Sequence, residues 1–283
     1  MTDGRLLTHP AAARERFRGL MRAPGEGADL SEAALVIALE EYPGIDVEGY
    51  CQLLGSWGSA VKARTEGSND LDRLVGEINR LLFDEEGFHA EDGYWDPRNT
   101  YLNEVIDRHG GLGIALSIVY IEVCRSAGFA SSGVALPGVT LVRLSGPWGE
   151  VLIDPHDSGR VLSRSECEQI MHRIYAGGVE LREHHLRSFS DREILGRLLA
   201  HIKAIRLAEG DVAAAVAAID RILILDQHDP WELRERGFLQ MRLHDYEAAI
   251  EDFEQYLRAA PYAEDERKIR DQMRTLRSWL MLQ

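Results

Sequence analysis

At 283 residues, with 45% hydrophobic and 28% charged residues, the chain is long enough for one large domain or two ordinary ones. Its formal net charge of −15, from 32 basic and 47 acidic residues, repels phosphate backbones and anionic lipid, and no basic stripe is visible to offset it, so neither nucleic acid nor a membrane is expected as a partner. No apolar run approaches the roughly 18–20 residues of a membrane span.

The first residues mix acid and base without an apolar signal core. Three cysteines (Cys51, Cys124, Cys167) lie far apart and form no CxxC pair. A cytoplasmic protein without disulfides, metal or cofactor is therefore expected.

In chain order, a first helix is predicted over Pro10–Arg22, followed by a loop, APGEGAD. From Leu30 the pattern is helical, with Ser31 as N-cap, until Pro43-Gly44 stops it. Two amphipathic helices follow, Val47–Val61 and Leu71–Phe83. The segment Asp84–Asp96 carries six acids and no Lys or Arg, and reads as a solvated loop, since its spacing matches no calcium-binding loop. Arg98–Asp107 reads as helix, broken by Gly110–Gly113.

An apolar helix from Leu112 to Ala127 then places Leu116, Val119, Tyr120, Val123, Cys124 and Ala127 at steps of three and four, giving one buried stripe that Gly128 terminates. Ser132–Leu136, Thr140–Leu144 and Glu150–Ile153 are strand candidates, the last two joined by a turn at SGPWG. The fold class expected is thus α+β, mainly helical, with a small antiparallel sheet late in the first part (helical over 30–128, sheet over 130–162).

From about Ser190 the chain repeats. A shift of 34 residues superposes Asp211 on Asp245, Ala214 on Ala248, Ala215 on Ala249 and Leu223 on Leu257, the period of a tetratricopeptide repeat. Gly237, Ala249, Phe253 and Pro261 fall on the small, small, aromatic and proline positions of the second copy. Ile269, Met273, Leu276 and Leu280 give a capping helix its apolar face.

The segment NTYLNEVIDRHGGLGIALSIVYIEVCRSAGF (Asn99–Phe129), followed by LPGVTLVR (Leu136–Arg143) and LIDP (Leu152–Pro155), resembles a bacterial family once linked to the regulation of invasion genes. EINRLLFDEEGF (Glu77–Phe88) and EEYPGIDVEGY (Glu40–Tyr50) carry the same likeness. Members join a transglutaminase-like core, related to cysteine proteases, to C-terminal tetratricopeptide repeats. The resemblance covers roughly residues 30–283 and implies a transglutaminase-like domain over 30–190 and an all-α helical-hairpin tail over 191–283, leaving 1–29 as an N-terminal extension.

Transglutaminases use a Cys–His–Asp triad, with the cysteine at the head of a helix whose dipole favours thiolate. By this analogy the cysteine position is Gly113, the histidine position, after Pro137-Gly138, is Val139, and only Asp154 is kept. No catalytic residue is expected from a triad that lacks its nucleophile and base. The family commonly has proline at the first position, so the loss there is shared.

Cys124, eleven residues beyond Gly113 and about 16 Å along the helix, reads as core. Ser117 stands one turn after Gly113, and His156 two residues after Asp154. Asn103, Glu104, Arg108, Ser117, Arg143, Asp154 and His156 are the cleft candidates, with Arg143 expected to pair with Asp154 or Glu104. His184-His185 reads as a surface pair, and no metal site is expected. Gly110–Gly113 lacks the ending of a phosphate loop.

The function expected is a non-catalytic scaffold or regulator that binds a protein or peptide through its repeat tail. The alternatives are a hydrolase built on Ser117, Asp154 and His156, and a homodimer formed through the tail.

Overall fold

The computed structural model describes residues 10–22, 29–66, 68, 70–175 and 178–281. Two compact units divide it, residues 1–198 and 199–283. The boundary expected at 190 falls just before the helix that spans this division.

The first unit opens with α1 (Pro10–Arg22), α2 (Leu30–Ala38), α3 (Val47–Thr65) and α4 (Leu71–Asn79). The loop expected after α1 lies outside the described residues apart from its last residue, Asp29. That residue, and not Ser31, caps α2: its carboxylate accepts the Glu32 N–H at 3.0 Å. Ser31 is already in the first turn and buried, with its hydroxyl directed to Asp29 Oδ1 at 2.6 Å and to Glu122 Oε2 at 3.2 Å.

Asp46 and Asp70 cap α3 and α4 in the same way. Part of the acidity is therefore structural, because carboxylates satisfy the unpaired N–H groups where the helix dipole favours negative charge.

After Asn79 the helix widens into a π turn over Arg80–Glu85. The acidic segment beyond it is largely exposed, as expected, but it is tied down at several points. His89–Ala90 (β1) pairs in parallel with Gly110–Gly111 (β2), Glu85 pairs with Arg64, Glu91 with Arg108, and Asp96 with Arg98. Asp96 also caps the 3-10 turn Pro97–Asn99, which leads into α5 (Leu102–Arg108). Arginines outside the segment thus pair with three of its six acids.

The apolar helix α6 (Gly113–Ser126) is buried on every side from Ile114 to Cys124, not along one stripe. It belongs to the class of helices enclosed by their own protein. α3 packs so close to its end that a Cβ on Gly58 would sit 2.3 Å from Ser126 Cβ.

The sheet expected from three segments has five strands in the order β6-β5-β4-β3-β7, all antiparallel: β3 (Ala130–Leu136), β4 (Val139–Gly146), β5 (Gly149–Asp154), β6 (Arg160–Leu162) and β7 (Ser188–Phe189). Side chains alternate across it. Val134, Leu136 and Leu141 form one apolar face with Cys167 and Met171 of α7 (Arg164–Ile174). Gly133 lies on the other face, where an added Cβ would meet Ile121 of α6 and Ile194. The sequence reading left α7 out, although Ser163 and Glu166 complete a capping box at its start.

In the second unit, α9 (Val212–Leu225) and α11 (Tyr246–Ala259) are each 14 residues long, and both ends are offset by 34. Asp211 and Asp245 cap them through the Ala214 and Ala248 N–H at 3.0 and 3.1 Å. Before each cap stands a left-handed residue, Gly210 at φ 80° and His244 at φ 61°. α10 (Pro230–Arg242) packs on α11, and α12 (Glu266–Leu280) closes the core through Ile269, Met273 and Leu276. Phe253 is fully buried in this core, and a Cβ on Gly237 would lie 2.6 Å from its ring. α8 (Asp191–Glu209) spans the division between the units. Among the described residues, no helix is long and apolar enough to cross a membrane.

Candidate functional site

Gly113 is the first residue of α6, and Leu112 before it offers no side-chain cap. A Cβ at Gly113 would sit 3.5 Å from His156 Cβ and 3.7 Å from His156 Cδ2, which is ordinary packing distance. The structure therefore brings an imidazole to the position expected for the nucleophile, but that imidazole is His156 and not residue 139.

Val139 begins β4 and packs half-buried against the cluster of Leu141, Cys167 and Met171, so its side chain is part of the core under α7.

His156 sits in a 3-10 turn, Pro155–Asp157, that Asp154 caps by accepting the His156 N–H at 3.0 Å. Burial raises the Asp154 carboxyl above its ordinary value, and the His156 amide and charge pull it back. Asp154 thus holds the turn through the backbone.

Three residues that the sequence reading did not bring together fix the far end of this turn. Gly159, at φ 74°, accepts a hydrogen bond at its carbonyl from Asn79 Nδ2 at 2.9 Å, and Tyr120 donates its hydroxyl to Asn79 Oδ1 at 3.0 Å. A Cβ on Gly159 would overlap Asn79 Oδ1 at 2.0 Å, so only glycine allows this approach. The available signal was Tyr120 itself, because a phenol inside an apolar helix needs a partner. Asn79 stands where α4 passes into the π turn, a distortion often found at functional sites.

Ser117 is fully buried, and its hydroxyl lies 2.7 Å from the Gly113 carbonyl and 3.1 Å from that of Thr140. Its one proton is committed to carbonyl oxygens, and it ties α6 to β4. Arg108 binds Asn99 Oδ1 at 2.8 Å and Glu91 Oε1 at 3.4 Å, stapling the acidic segment to the 3-10 turn.

The expected pairing of Arg143 with Asp154 or Glu104 is not formed. Arg143 bonds Glu150 on the neighbouring strand and the Leu186 carbonyl, because its register on β4 places it beside β5 and the chain before β7. Glu104 is half-buried; it adds only a minor charge effect to Tyr50, which burial and the hydrogen bond to Asp107 raise, and to Arg98, which Asp96 raises. Asn103 is buried, with no hydrogen-bond partner at its amide oxygen.

None of the cysteines takes over at the head of α6. Burial pushes the Cys51 thiol up to about 11, and the Cys124 and Cys167 thiols upward as well. Cys124 is completely buried, as expected for core. Among the described residues, no cluster of His, Cys, Asp or Glu is arranged to hold a metal ion.

A central helix headed at Gly113 and packed against an antiparallel sheet is the arrangement of a transglutaminase-like core, and residues 48–200 match the transglutaminase-like superfamily. Residues 202–274 match the tetratricopeptide repeat. A "UPF0162 protein" of Xylella fastidiosa (strain Temecula1 / ATCC 700964) is 32% identical over 250 residues, covering 87% of this chain and 89% of its own length. Another from Vibrio cholerae serotype O1 is 28% identical over 186 residues, 64% of this chain and 68% of its own. "Protein SirB1" of Salmonella typhimurium (strain LT2) is 24% identical over 227 residues, 74% and 84% of the two chains. The chain belongs to the transglutaminase-like superfamily and, within it, to the family of these UPF0162 proteins.

Proposed function

We propose that this chain is a non-catalytic, cytoplasmic scaffold or regulatory protein that binds a protein or peptide through its repeat unit. The observation that carries this reading is Gly113. The head of α6, where the superfamily places its nucleophile, has no side chain, and the facing imidazole of His156 has nothing to deprotonate. The raised thiols support the same reading. Sealing of Ser117 behind two carbonyls counts against a hydrolase built on Ser117, Asp154 and His156.

Support for binding comes from the second unit. Trp231 and Tyr262 are 74% and 97% exposed at the edge of a groove of about 590 Å³. Below them, Arg234 and Tyr256 are both bonded to Asp265 at 2.6 Å. Exposed aromatics beside a groove are typical anchors for a partner.

The test is native co-purification with the full chain and with a Trp231→Ala/Tyr262→Ala variant as a parallel bait. A partner held by the parent and lost by the variant supports the scaffold. Absence of any specific partner, combined with turnover of thioester or amide substrates that His156→Ala abolishes, overturns it. Mass in solution at several concentrations tests for a homodimer.

A further inference from the structure

α12 carries five basic residues against two acids in a chain whose net charge is −15. Arg267, Arg270, Arg274 and Arg277 recur at steps of three and four, so they share one face, running beside the buried stripe of Ile269, Met273 and Leu276. Over residues 191–283 as a whole, 18 acids outnumber 14 Lys and Arg, which masks the local basic excess on α12.

This face borders a groove of about 820 Å³ between α11 and α12, with Arg258 on the opposite wall and Leu257 and Met273 as its apolar lining. All five arginines are exposed. Arg270 and Arg277 pair with Glu266 and Glu254 at 2.8 and 2.7 Å, and Arg274 pairs with Asp271. These pairs lie in water, where an ion pair contributes little and exchanges readily for another carboxylate. No ion pair holds Arg258 or Arg267 among the described residues.

We infer that the groove between α11 and α12 docks an extended acidic segment of a partner protein, gripped by Arg258, Arg267 and the arginine face of α12. The inference deepens the scaffold reading and rests on it. Guanidinium groups bind carboxylates through two parallel hydrogen bonds. From Arg267 to Arg277 the helix rises about 15 Å. An extended strand covers that length in about four to five residues. The apolar lining suits side-chain stems between the carboxylates. A nucleic-acid strand would extend beyond the groove into the negative field of the remaining chain, whereas a short acidic segment meets the five arginines of the lining against its three acids, Glu254, Glu266 and Asp271.

Fluorescence anisotropy of a labelled hexaglutamate peptide with the full chain tests this. Hexaglutamine serves as the neutral control, with Arg258→Glu/Arg267→Glu as the groove variant and Arg173→Glu as an exposed control elsewhere. Hexaglutamate binds and hexaglutamine does not. The double variant weakens binding by about tenfold or more, and so does raising salt from about 0.05 to 0.5 M. Arg173→Glu changes nothing, and all three proteins melt alike.

Absence of binding, or binding insensitive to the double variant, overturns the inference. So does tighter binding of an oligothymidylate of equal charge, which assigns the groove to nucleic acid, or self-association that the double variant abolishes, which assigns it to a second copy. A partner that co-purifies equally with parent and double variant refutes the groove and leaves the scaffold standing. Binding of hexaglutamate with no partner retained by any bait refutes the scaffold alone.

Discussion

Each unit contains a glycine pressed against a side chain, and the two serve different ends. In the first, Gly159 lies so close to Asn79 that a Cβ would overlap its amide oxygen, and the approach secures a polar tie from α4 and Tyr120 to the turn that carries His156. In the second, Gly237 meets the ring of Phe253, and the approach lets two repeat helices pack. One close contact positions a loop, and the other builds a stack. The first unit thus uses its close contact to fix the turn beside its helix head, while the repeat unit commits its tight packing to shape.

The largest effect expected on this comparison is that of Phe253→Ala. Truncating a fully buried aromatic costs about 3–5 kcal/mol, and hydrogen exchange should show protection lost within residues 199–281 and kept in the first unit. Loss of protection in both units would make them one cooperative body.

Gly159→Ala follows at about 2–3 kcal/mol, from overlap with Asn79 and a φ of 74° that a side chain resists. Urea unfolding measures it, and exchange should quicken over 154–159. A neutral result would remove the polar tie from the account.

Glu122 sharpens the contrast by pH. Burial, helped by Asp29, raises its carboxyl to about 7, against the pull of Arg125 at 3.2 Å. An acid raised in the fold keeps its proton there while the unfolded chain has released it. Its contribution to stability is therefore intact below about pH 4.5 and declines as pH rises toward 7. Glu122→Gln removes that decline, so its stability relative to the parent should improve by about 1–3 kcal/mol between those values and stay level above. Parallel melting curves for the two proteins across that range would sink this account.

The smallest effect is that of Tyr120→Phe, about 1 kcal/mol for the lost hydrogen bond to Asn79, read by chemical denaturation. Equal stability would mean that Asn79 holds Gly159 without help.

Helices and repeats were legible in the sequence because their signals are local. Pro10–Arg22 was readable end to end, and the 34-residue offset appears in both the residues and the helix ends. Gly113 at the head of the apolar helix was legible because the glycine run and the apolar run that follows it are adjacent in the chain. The two-residue strands β1 and β2 were not, since neither is long enough to alternate. Nor was the tie among Asn79, Tyr120 and Gly159, whose members lie 41 and 80 positions apart and leave no periodic trace. Arg143 was misassigned for a related reason: its partner follows from strand register, which a linear motif does not specify.

The left-handed residue followed by an aspartate cap recurs at Gly210-Asp211 and His244-Asp245. Each repeat therefore carries its own stop and start signals within two residues. A duplication or deletion of 34 residues cut at these junctions would transfer intact boundaries, so the tail could lengthen or shorten by whole repeats through a single genetic event.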